Sequence, residues 1–198
     1  MAALTYTSIA SLDGFVADAD GDFSWAEPDE EVHRFVNEQE ESVGTYLYGR
    51  RLYEVMAVWE TDDWLTDEPP HVRDYARIWR AADKVVYSTT LESVSTPRTR
   101  LERTFDPAAV RRLVDEADRE VGLGGPTLAA AALSAGLVDE CSVFVVPVVV
   151  GGGSPWLPAG LRLHLDLVEE RRFTGGVVLL RYRTRRRAGV TPTMTSGT

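Results

Sequence analysis

Cysteine and lysine are almost absent from this chain of 198 residues, which contains one of each, Cys141 and Lys84. A single cysteine excludes a disulfide within one chain and any zinc site built from several cysteines. The three histidines, His33, His71 and His164, are far apart in the sequence, and this spacing predicts no metal site. The chain is therefore expected to fold without a disulfide and to work without a metal.

Long apolar runs are also missing, since none approaches the roughly 20 residues that a helix needs to span a bilayer. The N-terminus begins as a strand-like segment rather than as a signal peptide. The net charge of -10 argues against nucleic acid or an anionic membrane as a partner. We expect one cytoplasmic domain over residues 1–185, because this length is enough for a single core. Residues 186–198 are polar and are expected to form a disordered tail.

Strand and helix patterns alternate over the first 150 residues, and two strands close the chain. Strands are predicted at 4–11, 46–48, 84–88, 98–104, 161–170 and 177–185, with helices beginning near residues 28, 49, 71 and 107. The helix from 107 is predicted to end near 119. Alternation of this kind predicts an α/β fold with a mostly parallel sheet, helices on both faces and an antiparallel C-terminal edge.

The most informative stretch runs from residue 121 to residue 156. A glycine-rich turn over 122–125 leads into an alanine-rich helix with Pro126 in its first turn, and Gly136 suits a left-handed cap at its end. An apolar strand over 143–150 follows and stops at three glycines. The turn predicts either a phosphate site or only a tight strand-to-helix connection. A Rossmann fingerprint fits poorly, because Thr127 stands where its last glycine should be.

Polar or glycine-rich segments follow three of the predicted strands. Ligands of parallel sheets bind at the carboxyl ends of the strands, so we expect these segments to lie together. They could hold a pyrophosphate and one further phosphate. The segments are Gly49-Arg50-Arg51, Ser88-Thr89-Thr90 and residues 122–127.

The ordered set of motifs is similar to that of dihydrofolate reductase-like proteins, in particular the reductase domain of riboflavin biosynthesis and its stand-alone relatives. The motifs are Ser11-Leu12-Asp13-Gly14, Gly49-Arg50-Arg51-Leu52-Tyr53-Glu54, Lys84-Val85-Val86-Tyr87-Ser88-Thr89-Thr90-Leu91, Gly124-Gly125-Pro126-Thr127-Leu128, Leu137-Val138-Asp139-Glu140 and Pro147 with the glycines 151–153. They span residues 4 to 183.

This resemblance implies a three-layer dihydrofolate reductase-like fold that binds NADPH along the carboxyl edge of its sheet. It implies reduction of a C=N or C=O bond in a small heterocyclic or sugar-derived substrate. The reaction would be of the 5-amino-6-(5-phosphoribosylamino)uracil reductase or dihydrofolate reductase type. It also implies a homodimer. The alternative is a nucleotide-binding module without turnover.

The resemblance further implies roles for individual residues. Cofactor phosphates would be held by Gly49, Arg50 and Arg51, and the ribose 2′-phosphate by Ser88 and Thr89. The pyrophosphate would be held by Gly122, Gly124, Gly125 and Thr127, and the nicotinamide would be flanked by Val16 and Ala17. The substrate would be contacted by Ser11, Asp13 and Trp25, with Asp13 or a bound water as proton donor.

Structural explanations compete with several of these roles. Arg50 and Arg51 could be surface charges, Asp13 could only shape a turn, and Trp25 could belong to the core. Leu123 departs from the family pattern, because riboflavin-pathway reductases carry a substrate-contacting glutamate there; this residue favours the module without turnover. The pterin-binding acid of the family has only positional candidates, namely Asp29, Glu30 and Glu31.

Overall fold

A mixed sheet of eight strands forms the centre of the protein. The computed structural model describes residues 2–185, so the predicted tail lies outside the described residues. The sheet strands are β1 (Leu4–Ser11), β3 (Val43–Gly49), β4 (Asp83–Tyr87), β5 (Thr99–Glu102), β6 (Glu120–Gly124), β7 (Glu140–Val146), β9 (Leu165–Arg172) and β10 (Val178–Thr184). The short strands β2 (Phe15–Ala17) and β8 (Ser154–Pro155) pair with each other.

The order across the sheet is β5-β4-β3-β6-β1-β7-β10-β9. The first six strands in this order are parallel, whereas β10 pairs antiparallel with both β7 and β9. The predicted mostly parallel sheet with an antiparallel C-terminal edge is therefore confirmed.

Helices cover both faces of the sheet, as predicted. They are α1 (Glu30–Glu40), α2 (Arg50–Met56), α3 (Pro70–Ala81), α4 (Pro107–Glu116) and α5 (Pro126–Ser134), with 3-10 turns at Ser24–Ala26 and Ala57–Glu60. Helices α4 and α5 pack on Leu47 and Val85, while α2 and α3 pack on Tyr46 and Val86. Adjacent strand residues point to opposite faces, so these two helix layers lie on opposite sides. Helix α1 packs beside α3.

Two glycines of β6 make room for aromatic rings on the α3 side. Tyr46 is paired with Gly122 and Tyr48 with Gly124, and the two rings stack with centroids 5.4 Å apart. A Cβ at Gly122 would lie 2.9 Å from the Tyr46 ring, and one at Gly124 would lie 2.9 Å from the Tyr48 ring. Because this is closer than carbon atoms normally approach, both positions require glycine for packing.

Several boundaries differ from the predicted ones. The prediction that 122–125 form a turn is wrong for its first three residues, which belong to β6. The strand predicted at 143–150 instead occupies 140–146, and the segment after it leaves the sheet, with Val149 65% exposed. Helix α4 ends at 116 rather than 119, and β9 begins at 165 rather than 161. The left-handed cap at Gly136 is confirmed, with φ of 66°.

Candidate functional site

Three connections meet at the carboxyl edge of the sheet, as the sequence predicts. A Cβ built on Gly125, after β6, would lie 4.0 Å from the amide nitrogen of Gly49, the last residue of β3. The guanidinium of Arg50 donates from Nη1 to Thr90 Oγ1, after β4, at 3.0 Å. The β3–α2, β4–β5 and β6–α5 connections therefore form one continuous rim.

The β6–α5 connection leaves the start of α5 without a side-chain cap. Gly125 is the N-cap residue and has φ of 90°, a conformation that favours glycine. Pro126 occupies the first turn and Thr127 is exposed. The backbone N–H groups of this first turn have no helical partner, and together with the helix dipole they favour an anion. Of the predicted pyrophosphate residues, Gly125 and Thr127 lie at this turn, whereas Gly122 and Gly124 are buried in the strand before it.

The β3–α2 connection carries the two predicted arginines. Gly49 is the N-cap of α2 and has ordinary extended geometry, with φ of -76° and ψ of 161°. Arg50 forms an ion pair with Glu54 at 2.7 Å, with both side chains nearly half exposed, and also reaches Thr90. Arg51 is exposed. Arg50 is therefore held toward the β4–β5 connection, and Glu54 acts as its ion-pair partner.

An open pocket of about 330 Å³ lies at the end of β4. Its lining consists of Tyr87, Ser88, Thr89, Arg103 and Phe105. The predicted residues Ser88 and Thr89 therefore share one pocket, and the guanidinium of Arg103 supplies a positive charge beside them. The Arg103 Nη1 atom also donates to the backbone carbonyl of Ser88 at 3.3 Å.

Arg103 and Phe105 were missed by the sequence analysis. Residues 98–104 were predicted as a strand, and the end of a parallel strand beside β4 must reach the same edge. The position of Arg103 just after β5 was thus the signal that could have identified it.

The β1–β2 connection is tied to the loop after β7. Both oxygens of Asp13 accept backbone hydrogen bonds, from Val150 at 3.2 Å and from Gly151 at 2.7 Å. A hydrogen bond from the Ser11 hydroxyl is the main cause that lowers the pKa of Asp13; desolvation opposes this shift, and the two amides lower the pKa further. The Asp13 carboxyl is therefore ionised at neutral pH. Ser11 is itself buried, and its hydroxyl accepts a hydrogen bond from the Phe15 amide at 3.0 Å.

The residues predicted beside the nicotinamide lie on β2, next to the same loop. Ala17 is paired with Ser154, and a Cβ on Gly153 would lie 2.1 Å from the Ala17 carbonyl oxygen. Gly153 therefore allows the two backbones to approach each other. Trp25 is partly buried against the hydrophobic cluster of α1 and β7, and its Nε1 donates to the Asp22 carbonyl at 3.2 Å. This packing agrees with the core alternative for Trp25.

Other chemical groups lie away from the rim. Leu123 is 3% exposed and packs among the core residues beneath α4 and α5. His33 and His71, distant in sequence, are neighbours in the fold, with ring centroids 4.9 Å apart. Burial and the nearby His71 lower the pKa of His33.

Over residues 2–185 there is no group of three or more potential metal ligands. No helix in the same range is both long and apolar enough to cross a membrane.

A comparison with protein families now decides the relationship. The model of the RibD C-terminal domain matches residues 2–179. The chain belongs to the RibD C-terminal domain family. This family includes reductases of the pyrimidine reductase type.

The chain is also similar to individual proteins. Protein YyaP of Bacillus subtilis (strain 168), which is uncharacterised, is 27% identical over 176 residues, covering 87% of this chain and 89% of YyaP. A protein of Shewanella sp. PV-4 has the same fold with a TM-score of 0.72 and 20% identity, over 93% of this chain and 99% of that one.

A deaminase/5-amino-6-(5-phosphoribosylamino)uracil reductase of Thermotoga maritima has a TM-score of 0.64 and 16% identity. The match covers 93% of this chain and 57% of that enzyme. At such identities the two structural matches show the fold alone.

Proposed function

We propose that this member of the RibD C-terminal domain family is an NADPH-dependent reductase of a small heterocyclic or sugar-derived substrate. The observation that carries the proposal is the continuous rim, in which Arg50 joins the β3–α2 and β4–β5 connections. A Cβ built on Gly125, in the third connection, would lie 4.0 Å from the amide nitrogen of Gly49. The bound cofactor would supply the hydride, while the protein supplies binding, orientation and charge.

The residues of the rim fit a dinucleotide in both shape and charge. The glycine conformation of Gly125 and the uncapped start of α5 suit a pyrophosphate. The pocket with Ser88, Thr89 and Arg103 suits the 2′-phosphate, because a guanidinium and hydroxyl groups bind phosphate oxygens well. Arg50 and Arg51 would add positive charge between these two subsites.

The order of the strands supports one direction for the cofactor. From β4 to β1 the sheet crosses three strand spacings, or about 14 Å at about 4.8 Å each. A dinucleotide with its adenosine end at β4 would therefore place its nicotinamide toward β1, where Val16 and Ala17 lie on the adjoining strand β2. The substrate would bind there, at the end of the rim beside β1 and β2, which we call the second end.

The charge at the second end favours a substrate without a phosphate group. Residues 12–29 contain six acidic and no basic side chains, and residues 147–160 contain no charged side chain. These two segments meet, because Trp156 donates its amide to the Gly14 carbonyl and β2 pairs with β8. A phosphorylated substrate would meet a net negative charge from these two segments, which themselves contain no cation.

We assign Asp13 to positioning rather than to proton donation. Its carboxylate is ionised and accepts the amides of Val150 and Gly151, so it holds the loop that borders the second end. A water bound at this end is the proton donor we propose instead.

We also propose that the protein is a homodimer, which light scattering in solution would test.

Thermal unfolding with and without NADPH tests the binding step. A ligand at about 100 times its Kd adds roughly 2.7 kcal/mol to the unfolding free energy. For a chain of this size we expect the midpoint to rise by about 5–10 °C. No shift at millimolar NADPH would contradict both the reductase and the nucleotide-binding module.

Replacement of both Arg50 and Arg51 by alanine tests the phosphate assignment. We expect NADPH binding to weaken about tenfold or more, since charged hydrogen bonds contribute about 1.5–3 kcal/mol each, while NADH binding changes less. Arg112→Ala, an exposed arginine on α4, is the matched control. Equal weakening of NADPH and NADH binding would mean that Arg50 and Arg51 do not recognise the 2′-phosphate.

Oxidation of NADPH, followed by its absorbance, tests turnover. The panel should contain pterins, pyrimidines and quinones, together with pairs that differ only in a phosphate, such as riboflavin and FMN. We expect the phosphate-free member of a reactive pair to have the higher kcat/KM. Binding of NADPH without any oxidation across the panel would favour the module without turnover, the alternative for which Leu123 is the sequence feature.

A further inference from the structure

The β4–β5 connection is held almost entirely by side chains. Backbone–backbone hydrogen bonds of the described chain flank it, from Ser88 N to the Glu102 carbonyl and from Lys84 N to the Arg98 carbonyl, but none involves residues 89–97. This segment carries Thr89 and Thr90, two residues of the rim. Its conformation must therefore depend on the side chains that bond to it.

The first half of the segment is fixed by residues at the rim. Ser88 Oγ accepts the amides of Thr90 at 3.2 Å and of Leu91 at 2.9 Å. Arg103 donates to the carbonyls of Leu91 and Glu92. These bonds join the segment to β4 and to the end of β5.

The second half is fixed by one tyrosine on another element. The Tyr53 hydroxyl accepts the amide of Ser95 at 2.8 Å and that of Thr96 at 3.1 Å. It also lies 3.2 Å from Ser95 Oγ and 3.1 Å from Thr96 Oγ1. Tyr53 is 2% exposed, and its ring belongs to the hydrophobic cluster against which Leu91 and Val94 pack.

Tyr53 also belongs to the helix that starts with the rim arginines. It follows Arg50 by three residues in α2, and Arg50 reaches Thr90 in the same segment. The α2 helix and the β4–β5 segment are thus joined at two points, one at the exposed rim and one in the interior.

We propose that Tyr53 is a positioning residue that sets the preference of this protein for NADPH over NADH. Its buried hydroxyl holds the 89–97 segment against α2, and this keeps Ser88, Thr89 and Arg103 in place around the pocket for the 2′-phosphate. Tyr53 itself is buried beneath the segment and does not line that pocket. The inference rests on the proposed cofactor, because it assigns the pocket at the end of β4 to the 2′-phosphate.

Tyr53→Phe tests the proposal, since it removes only the hydroxyl that accepts the two amides. We expect the Kd for NADPH to rise about tenfold, as for the loss of one hydrogen bond to a charged group, and the Kd for NADH to change less than about twofold. Hydrogen exchange at the amides of Ser95 and Thr96 should accelerate. Tyr46→Phe is the matched control, because its hydroxyl donates to Glu40 at 2.7 Å, outside this segment.

Thr96→Val is a second variant, which keeps the tyrosine and removes the Thr96 hydroxyl with its contacts to the Tyr53 hydroxyl and to Thr99 Oγ1. It should change the ratio of the Kd for NADPH to the Kd for NADH in the same direction, by a smaller factor. This variant tests the proposal if Tyr53→Phe does not fold. The role of Tyr53 would be overturned if the ratio of the two Kd values is unchanged in the folded variants. It would also be overturned if the affinities for NADPH and NADH fall equally. Failure of the unmodified protein to bind NADPH would instead overturn the proposed function.

Discussion

Gly124→Ala should destabilise the protein through a defined collision at the end of β6. The new Cβ would lie 2.4 Å from Leu52 Cδ2 and 2.9 Å from two atoms of the Tyr48 ring. Carbon atoms normally approach to about 3.5–4.0 Å, so the overlap with Leu52 exceeds about 1 Å. The Leu52 tip can rotate away. The Tyr48 ring is only 4% exposed and stacks on Tyr46, so it has little room to retreat.

Overpacking of a filled core costs about 1–3 kcal/mol, and we place Gly124→Ala near 2 kcal/mol because one of its two contacts can relax. Urea unfolding measures this as a lower midpoint with an unchanged slope. Gly49→Ala is the matched control at the same edge. Its Cβ would meet Leu128 at 3.9 Å and its backbone is already extended, so we expect a change below about 1 kcal/mol.

The double variant Gly124→Ala/Leu52→Ala separates the two possible reasons for this glycine. If the collision with Leu52 is the cause, the cycle should show a favourable coupling of about 1 kcal/mol. NADPH binding by the rescued protein then tests whether Gly124 is needed for anything besides packing. A Gly124→Ala variant as stable as the control would refute the packing argument, whereas no relief from the second substitution would assign the cost to the Tyr48 ring instead of Leu52.

Two further predictions concern His33, whose pKa is shifted, and Asp13, whose carboxylate accepts two backbone amides. Burial and the nearby His71 lower the pKa of His33 in the folded protein, whereas in the unfolded chain this pKa has its ordinary value of 6.5. The unfolding free energy should therefore fall as the pH drops from 7 to 5, because the unfolded chain binds the proton more readily. Urea unfolding of His33→Gln should show a shallower fall, and an identical slope would contradict this. Asp13→Asn should accelerate hydrogen exchange at Val150 and Gly151 by about tenfold, because the neutral amide offers one acceptor instead of two; unchanged exchange would mean that the loop does not depend on Asp13.

Local features of the site could be predicted from the sequence because they depend on neighbours in the chain. The junctions at Gly49-Arg50-Arg51, Ser88-Thr89 and Gly125-Pro126-Thr127 follow predicted strands, and parallel strands end at one edge. Their convergence was therefore predictable. The hydrogen bond from Arg50 to Thr90 confirms it, as does the position of Gly125, where an added Cβ would lie 4.0 Å from the Gly49 nitrogen.

Features that join distant segments could not be predicted in this way. Arg103 reaches the pocket only because β5 pairs with β4, and Asp13 becomes the anchor of a loop that is 137 residues further along the chain. The contact of His33 with His71 likewise depends on α1 packing beside α3. Sequence spacing carries no information about such pairs, since it does not say which elements become neighbours.

The sequence by itself determined the alternation of strands and helices, the mostly parallel sheet with its antiparallel edge, and the polar segments at the strand ends, but not the strands β2, β6 and β8. Hydrophobic periodicity and turn residues act over a few residues, and this is why they could be read directly. Only the tertiary structure decided that β6 lies between β3 and β1, and that Gly122 and Gly124 serve the stacked rings of Tyr46 and Tyr48. The place of a strand in a sheet is set by the fit of side chains across it, and that fit exists only once the chain is folded.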